Sequence, residues 1–424
     1  MTARHLRYLV PLVLLGACNR APSPDQPDDS GLRTVIDSTA DTVVARIAGQ
    51  VPVAAIRRLV PEVRIAPSAD DTSLFTEVSE FEVDRAGRFW VFDRPTSSVF
   101  LFGSDGTLIK RVGRKGGGPG EFASNSGMVS LPDTGLAVWD PQNARISFFD
   151  AAGAFRTSWV TPSGFNTGNG LLTDGSGRLY LKRPVTPPRE GEILGRLGLV
   201  ALGDRGAFRD SLEPPDLPVQ REVYLAVQRS GKDNVNQSST SSRFAPNYFW
   251  AWHPAGYFVV GHGGRFEIVV ARPEGKPLVI RRGAPAVAVA SEEREEEQAL
   301  ITYSMRQTQP DWAWSGPPIP EIKAPLLGLT VARDGRIWAQ VAVPSERIPD
   351  AEVATPRDAK APTIRHRTRP VYEVFGADGR FLGRVDCGCR MTLVDAEGDR
   401  VWALVRDEND LPVVARFRIE PALR

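Results

Sequence analysis

Residues 81–122 read FEVDRAGRFWVFDRPTSSVFLFGSDGTLIKRVGRKGGGPGEF. Four short apolar runs are separated by breaks at Asp84–Gly87, Asp93–Ser98, Ser104–Gly106 and Gly113–Gly120. Each run has the length of a strand, and each break is rich in Gly, Asp, Pro or Ser. The stretch predicts a four-stranded antiparallel meander.

Working outward, the first half of that unit recurs six times: FEVDRAGRFWVF, VSLPDTGLAVW, LLTDGSGRLYL, AWHPAGYFVV, LTVARDGRIWAQV and TLVDAEGDRVWALV. Their turn glycines are Gly87, Gly135, Gly177, Gly256, Gly335 and Gly398. A second apolar run and turn follow the first five copies, with glycine at 106, 153, 206, 275 and 379. The intervals between the two glycines are 19, 18, 29, 19 and 44 residues, so two copies carry insertions. The second runs (Phe89–Phe92, Leu179–Leu181, Val401–Val405) are nearly continuous apolar segments, the pattern of strands covered on both faces. Blades packed around an axis cover both faces and leave only short edges, whereas a two-sheet sandwich would show alternation. The fold class is therefore all-β: a six-bladed β-propeller of four-stranded antiparallel blades with one short helical insertion. The chain supplies three strands after Arg390, and Glu62–Ala66 is placed to supply the fourth strand of the last blade and close the ring.

Gly113-Arg114-Lys115-Gly116-Gly117-Gly118-Pro119-Gly120-Glu121-Phe122, taken with the repeat before it, resembles the NHL-repeat and related six-bladed propeller families. Their blades run "GxhhVxD … hxxFDxxGxhhxxxGxxGxGPGEF". Gly87, Trp90, Val91, Asp93, Phe102, Gly106, Gly113 and Gly116 match, as does the GPGEF run at 118–122. The second copy keeps Val138, Asp140, Phe149, Asp150 and Gly153, and later copies keep only the turns. This resemblance implies a fold; propellers host many unrelated activities.

The N-terminus has the form of an export signal. Arg4 and Arg7 precede an apolar segment, Tyr8–Ala17, too short to span a bilayer. Leu15-Gly16-Ala17-Cys18 resembles the bacterial lipoprotein box, which implies cleavage before Cys18 and lipidation there; an ordinary secretory signal is the alternative. Asn19 after Cys18 points to the outer membrane of a bacterial envelope, by resemblance to enteric lipoproteins. The expected organisation is 1–17 signal peptide, 18–56 flexible tether, with a small hairpin at Thr34–Ile47 an open alternative, and 57–424 propeller. The remaining cysteines, Cys387 and Cys389, lie in an oxidising compartment and flank Gly388, which permits a bend. A disulfide is the first expectation, free thiols the second and a metal site the last.

Composition excludes several classes. Apolar residues make 42% and charged residues 24% of the chain, enough for a large core. Loss of Arg4 and Arg7 with the signal would move the formal charge from +1 to −1, which gives no electrostatic case for nucleic acid. The chain has 4 histidines, none at metal-ligand spacing, and no nucleophile elbow. Gly116–Gly120 precedes a strand and not a helix, so it reads as a blade connection and not a phosphate cradle. Calcium-dependent propeller lactonases hold a channel metal with acidic and Asn side chains. Glu77, Asn125, Asn166, Asn169 and Asn247 stand near strand starts here, where Asn also bonds locally to backbone. No cofactor and no catalytic residue is assigned, and Ca²⁺ belongs only to the alternative.

Parity of the meander puts the long segments Lys182–Glu192, Pro214–Pro246, Ala284–Pro325 and Pro344–Pro370 at one end of the propeller, with the Arg114–Glu121 loop. Long loops on a rigid scaffold are where binding concentrates. The expected function is a lipid-anchored binding module whose partner, a protein or a small molecule, meets Arg114, Lys115, Tyr248, Trp312 and Trp314. The alternative is a lactonase-like propeller hydrolase or lyase. Trp312 and Trp314 either pack down on the blades or present a stacking surface. Ser291–Gln307 is the one clear helix, with Ser291 as its cap and its Glu run as a solvated face.

Overall fold

Strand residues segregate into sheets as the turn glycines dictate. The computed structural model describes residues 31–67, 75–125, 127–161, 170–187, 195–230, 234–407 and 410–423. Blade one comprises Val78–Val83, Phe89–Asp93, Ser98–Phe102 and Leu108–Val112. Blade two comprises Met128–Ser130, Leu136–Asp140, Arg145–Phe149 and Phe155–Val160. Blade three is Leu171–Thr173, Leu179–Pro184, Leu197–Leu202 and Phe208–Leu212. Blade four is Tyr248–His253, Tyr257–His262, Glu267–Val270 and Leu278–Arg282. Blade five is Leu326–Val331, Ile337–Val341, Val371–Phe375 and Phe381–Asp386. Blade six has Met391–Glu397, Arg400–Arg406 and Pro412–Glu420.

Six apolar clusters join successive blades. Trp90, Phe92 and Leu101 pack with Met128 and Val138 between blades one and two. Equivalent clusters lie between two and three, three and four, four and five, and five and six. The last returns to the beginning: Trp402 and Val414 of blade six pack with Phe81, Phe89 and Phe100 of blade one. Each sheet is thus buried on both faces, which is why Phe89–Asp93 and Leu136–Asp140 are buried at every position. The ring is closed. The fold is a six-bladed β-propeller.

Turn chemistry follows the repeat. Gly87, Gly177, Gly256, Gly335 and Gly398 adopt positive φ, as do all five second-turn glycines. Blade two differs: Thr134 takes the left-handed position at φ 66° and Gly135 follows it. Aspartates lock the turns. Asp84 Oδ1 accepts the amides of Ala86 and Arg88, and Asp174 Oδ1 those of Ser176 and Arg178.

Three N-terminal strands knit the ring: β1 (Arg33–Ser38), β2 (Val43–Ala48) and β3 (Ile56–Ile65). β3 pairs antiparallel with Pro412–Glu420, from Arg58↔Glu420 to Ile65↔Val414, and so forms the outer strand of blade six. Its first residues also pair with blade five, Ile56↔Arg384 and Arg57↔Val385, so one strand bridges two blades.

The tether boundary needs correction. Residues 33–48 form a hairpin, and β2 pairs in parallel with the outer strand of blade four, Val43↔Leu278 to Ile47↔Arg282. The cause is apolar: Ala45 and Ile47 are buried against Leu278 and Ile280. The predicted signal and Cys18 lie outside the described residues.

Candidate functional site

Three long insertions converge at one end. Segment 214–246 contributes the hairpin Tyr224–Ser230/Asn234–Thr240. Segment 284–325 contributes the 18-residue helix α1 (Ser291–Thr308), longer than a short insertion. Segment 344–370 carries Glu346–Arg347 paired with His366–Arg367. The first two share a core of Tyr224, Phe244, Ile301, Met305, Trp312 and Ile319, separate from the six inter-blade clusters, and the third meets them through polar contacts of Ser345 and His366. Blade three joins through Arg196, which donates to Pro215 O at 2.9 Å. These segments make a cap, as the parity of the meander requires.

The cap's polar chemistry is interior. Glu293 and Glu297 are buried, so the Glu run of α1 is not simply a solvated face. Buried carboxylates persist only with partners, and both have them. Lys323 Nζ lies 3.1 Å from Glu293 and donates to Ser345 Oγ at 2.6 Å. Glu297 accepts the amide of Arg243 at 2.8 Å and pairs with its guanidinium at 3.1 Å. Ser291 is the first helical residue and not the cap; Ala290 holds that position. On the outer side, Tyr303 Oη donates to Asp358 at 2.7 Å. His366 Nδ1 meets Glu296 at 2.9 Å. Between α1 and residues 358–362 runs a groove of 990 Å³ lined by Glu295, Gln298, Thr302, Arg306, Asp358 and Lys360.

The residues expected to bind divide into two groups. Trp312 is only 4% exposed, and its Nε1 donates to Leu225 O at 2.9 Å. Trp314 packs on Tyr224, with ring centroids 4.6 Å apart. Both tryptophans therefore hold the cap together, because the Tyr224 hairpin covers them, and Trp312 is no open stacking surface. Tyr248 is half-buried and structural too: its Oη donates to Pro215 O at 2.8 Å and Arg196 lies over its ring. Arg114 and Lys115 are exposed. Arg114 pairs with Glu121 at 2.7 Å, and Arg145 of blade two donates to Gly118 O and Glu121 O, pinning that loop.

Two carboxyls of the inner strands, Glu80 and Glu82, were not anticipated. Glu80 and Glu82 lie two apart on the innermost strand of blade one, on one face of it. Glu80 accepts from Asn125 Nδ2 at 2.9 Å. Although part of each side chain stays accessible, the inner strands crowd both carboxyls. Burial pushes Glu80 up to about 7 and Glu82 up to about 8, the latter with added repulsion from Glu80 and Asp395. Burial likewise raises Asp395 of blade six, against the attraction of Arg333. Arg333 reaches across from the first turn of blade five. It pairs with Asp395 and donates to the carbonyls of Val83 and Asp84 of blade one. The alternation SEFEVD carried this signal, since two glutamates stand where an inner strand should be apolar.

Among the described residues, the donors weighed for calcium are engaged elsewhere. Glu77 faces Arg94 at 3.5 Å on the surface. Asn125 serves Glu80, Asn247 Oδ1 accepts the amide of Tyr248, and Asn166 and Asn169 lie outside the described residues. Among the described residues no group of three or more His, Cys, Asp and Glu has metal-site geometry. Cys387 and Cys389 are bonded to each other, with Cα atoms 5.1 Å apart. No helix among the described residues is long and apolar enough to cross a membrane.

Residues 66–156, covering blade one and nearly all of blade two, match the DUF5128 family model, described as a 6-bladed beta-propeller. Among curated proteins none matches the chain. A DUF4221 family member from Bacteroides vulgatus is 12% identical with a TM-score of 0.48, covering 86% of this chain and 98% of its own. A Bacteroides fragilis protein is 11% identical with a TM-score of 0.46, covering 89% and 99%. An inactive virginiamycin B lyase variant from Staphylococcus aureus, solved with quinupristin, is 10% identical with a TM-score of 0.38, covering 86% and 89%.

Proposed function

We propose that this protein is an NHL-repeat-like binding propeller, exported and held to the bacterial outer membrane by lipid at Cys18, that meets a protein partner through its cap. The observation that carries the reading is the groove of 990 Å³ between α1 and residues 358–362. Its walls mix both signs of charge with hydroxyl and amide groups, chemistry suited to a polar polypeptide segment. The cap is rigidly founded, because Lys323, Glu293 and Ser345 tie α1 to the insertion of blade five in a buried network. Arg114 and Lys115 stand exposed on the connection between blades one and two.

The test is site-specific photocrosslinking in the native envelope. A photoreactive residue at Gln298 or Ala299, both exposed on α1, should give one discrete adduct. The same residue at Arg209, on the outer strand of blade three, should give none. Adducts from Arg209 alone, or from no position on α1, would refute the reading.

A further inference from the structure

The connection from the outer strand of blade five to the inner strand of blade six reads Asp386-Cys387-Gly388-Cys389-Arg390. Its two cysteines bond across a single residue. A disulfide stabilises a fold by restricting the unfolded chain, and the effect shrinks with the loop it closes. A separation of 2 closes a very small loop, so this bond constrains little. Nor does the ring need it. β3 already pairs with both blades, and Val385 and Met391, on either side of the loop, are buried in the cluster between them. The loop is open to reagents. Gly388 is exposed, nothing lies within 4 Å of the place a Cβ would take on it, and both cysteines are only half-buried. Accessible disulfides are the ones open to thiol exchange. The two sulfurs are not equivalent: the Cys389 amide donates to Cys387 Sγ at 2.9 Å. An amide donor stabilises a thiolate, so Cys387 is the better leaving group. Asp386 shapes the loop by accepting the Gly388 amide at 2.9 Å, and Arg369 holds Asp386 at 3.2 Å. Arg369 also pairs with Glu346 of the blade-five insertion, so the loop stands at the foot of the cap.

We propose that the Cys387–Cys389 disulfide is a thiol–disulfide exchange site whose reaction partner is a dithiol. A thiolate of the dithiol attacks Cys389 Sγ. The bond between the two cysteines breaks, and Cys387 leaves as a thiolate held by the Cys389 amide. The second thiol of the partner then attacks the mixed disulfide and releases Cys389. Two electrons and two protons pass to this chain, the dithiol ends as a disulfide, and the reverse steps restore the bond. The site is separate from the cap groove and does not rest on the proposed partner.

The test follows reduction of the full chain by dithiothreitol, with the freed thiols trapped by iodoacetamide and read at Cys387 and Cys389 by mass spectrometry. The folded protein should be reduced within about tenfold of the rate for the urea-unfolded chain. The reduced protein should keep its circular dichroism spectrum and melt within about 2 °C of the oxidised form. Acid quenching during reaction with glutathione should place the glutathionyl group on Cys389. Slower reduction of the folded protein than that tenfold margin allows would overturn the proposal, because the bond would then be shielded by the fold. So would a reduced chain that melts outside the stated range, which would make the bond structural, or a glutathionyl group found mainly on Cys387.

Discussion

Replacing Val63 and Ile65 together by alanine tests how the ring is held closed. Both side chains are buried, at 8% and 5% exposure, on the face of β3 that packs against Phe75, Phe100 and Phe102. The fit is close: a Cβ added at Gly106 of blade one would lie 2.8 Å from Val63 Cγ1. Such a site has little room to collapse, so the cavity term persists. Ile→Ala in a packed core costs roughly 2–5 kcal/mol, and the valine adds about 1–2 kcal/mol. For the roughly 365 described residues at ~2.1 cal/mol/K each, the unfolding entropy is about 0.8 kcal/mol/K. A loss of ~3–7 kcal/mol then lowers Tm by about 4–9 °C. Deleting residues 57–66 should do far more, because it also strips the hydrogen-bonded partner from Pro412–Glu420 and leaves blade six with a naked outer edge. Differential scanning calorimetry reads both variants. A double mutant melting within about 1 °C of wild type, or a soluble deletion with an unchanged transition, would refute closure through β3.

The buried channel carboxyls fix a pH dependence. Glu80 and Glu82 have folded pKa values raised to about 7 and about 8, so their contribution is fully present below the unfolded value of 4.5 and is lost as pH rises through 8. Glu82→Gln should therefore flatten the fall of Tm between pH 5 and pH 8, by up to a few kcal/mol at about 1.4 kcal/mol per unit; a steeper fall would contradict it. Cys18→Ser should leave the protein unprocessed or release it from membranes, as read by fractionation and gel mobility, and wild-type behaviour in both assays would exclude lipidation there. Trp312→Ala should cost roughly 3–5 kcal/mol and deprotect α1 amides in hydrogen exchange before the blades are affected; an unchanged exchange pattern would show that the cap does not depend on this side chain.

What was legible in the sequence was local. A turn glycine and an apolar run lie within a dozen residues of each other, so the six copies and their strand order could be read directly. Ring closure was also legible, because the last blade lacked one strand and an apolar segment preceded the first. The cap was not. Trp312 is settled by the carbonyl of Leu225, 87 residues away, and Glu297 by Arg243, 54 residues away. Nothing in a Pro-rich segment or a Glu run encodes such partners. The docking of the β1–β2 hairpin was not legible for the same reason: its parallel pairing with Leu278–Arg282 joins segments more than two hundred residues apart. Glu80 and Glu82 were visible as an alternation, but the alternation did not say that the polar face would be crowded by neighbouring strands.

The decay of the repeat along the chain has a physical cause. In blades one and two the second strand ends in aspartate, Asp93 and Asp140, both fully buried. Asp93 Oδ1 accepts the amides of Thr76 and Glu77, which lead into the inner strand of the same blade. Burial alone would raise its pKa, yet the amides of Glu77, Thr76 and Thr96 and the Thr96 hydroxyl hold it below the usual range. Asp140 does the same for Ala123 and Ser124, and its Oδ1 also accepts the Asn143 amide that starts the next turn. One carboxylate thus clamps the incoming loop and the outgoing turn together, and both must stay short. The second strands of blades three, four and five end instead at Pro184, His262 and Val341. None of these can accept several amides at once, so the same end of those blades is free of the clamp. All three cap insertions attach there. Restoring the clamp is thus a direct way to separate architecture from function. Shortening segment 344–370 to a tight turn with Val341→Asp should keep blade five folded while removing one wall of the groove.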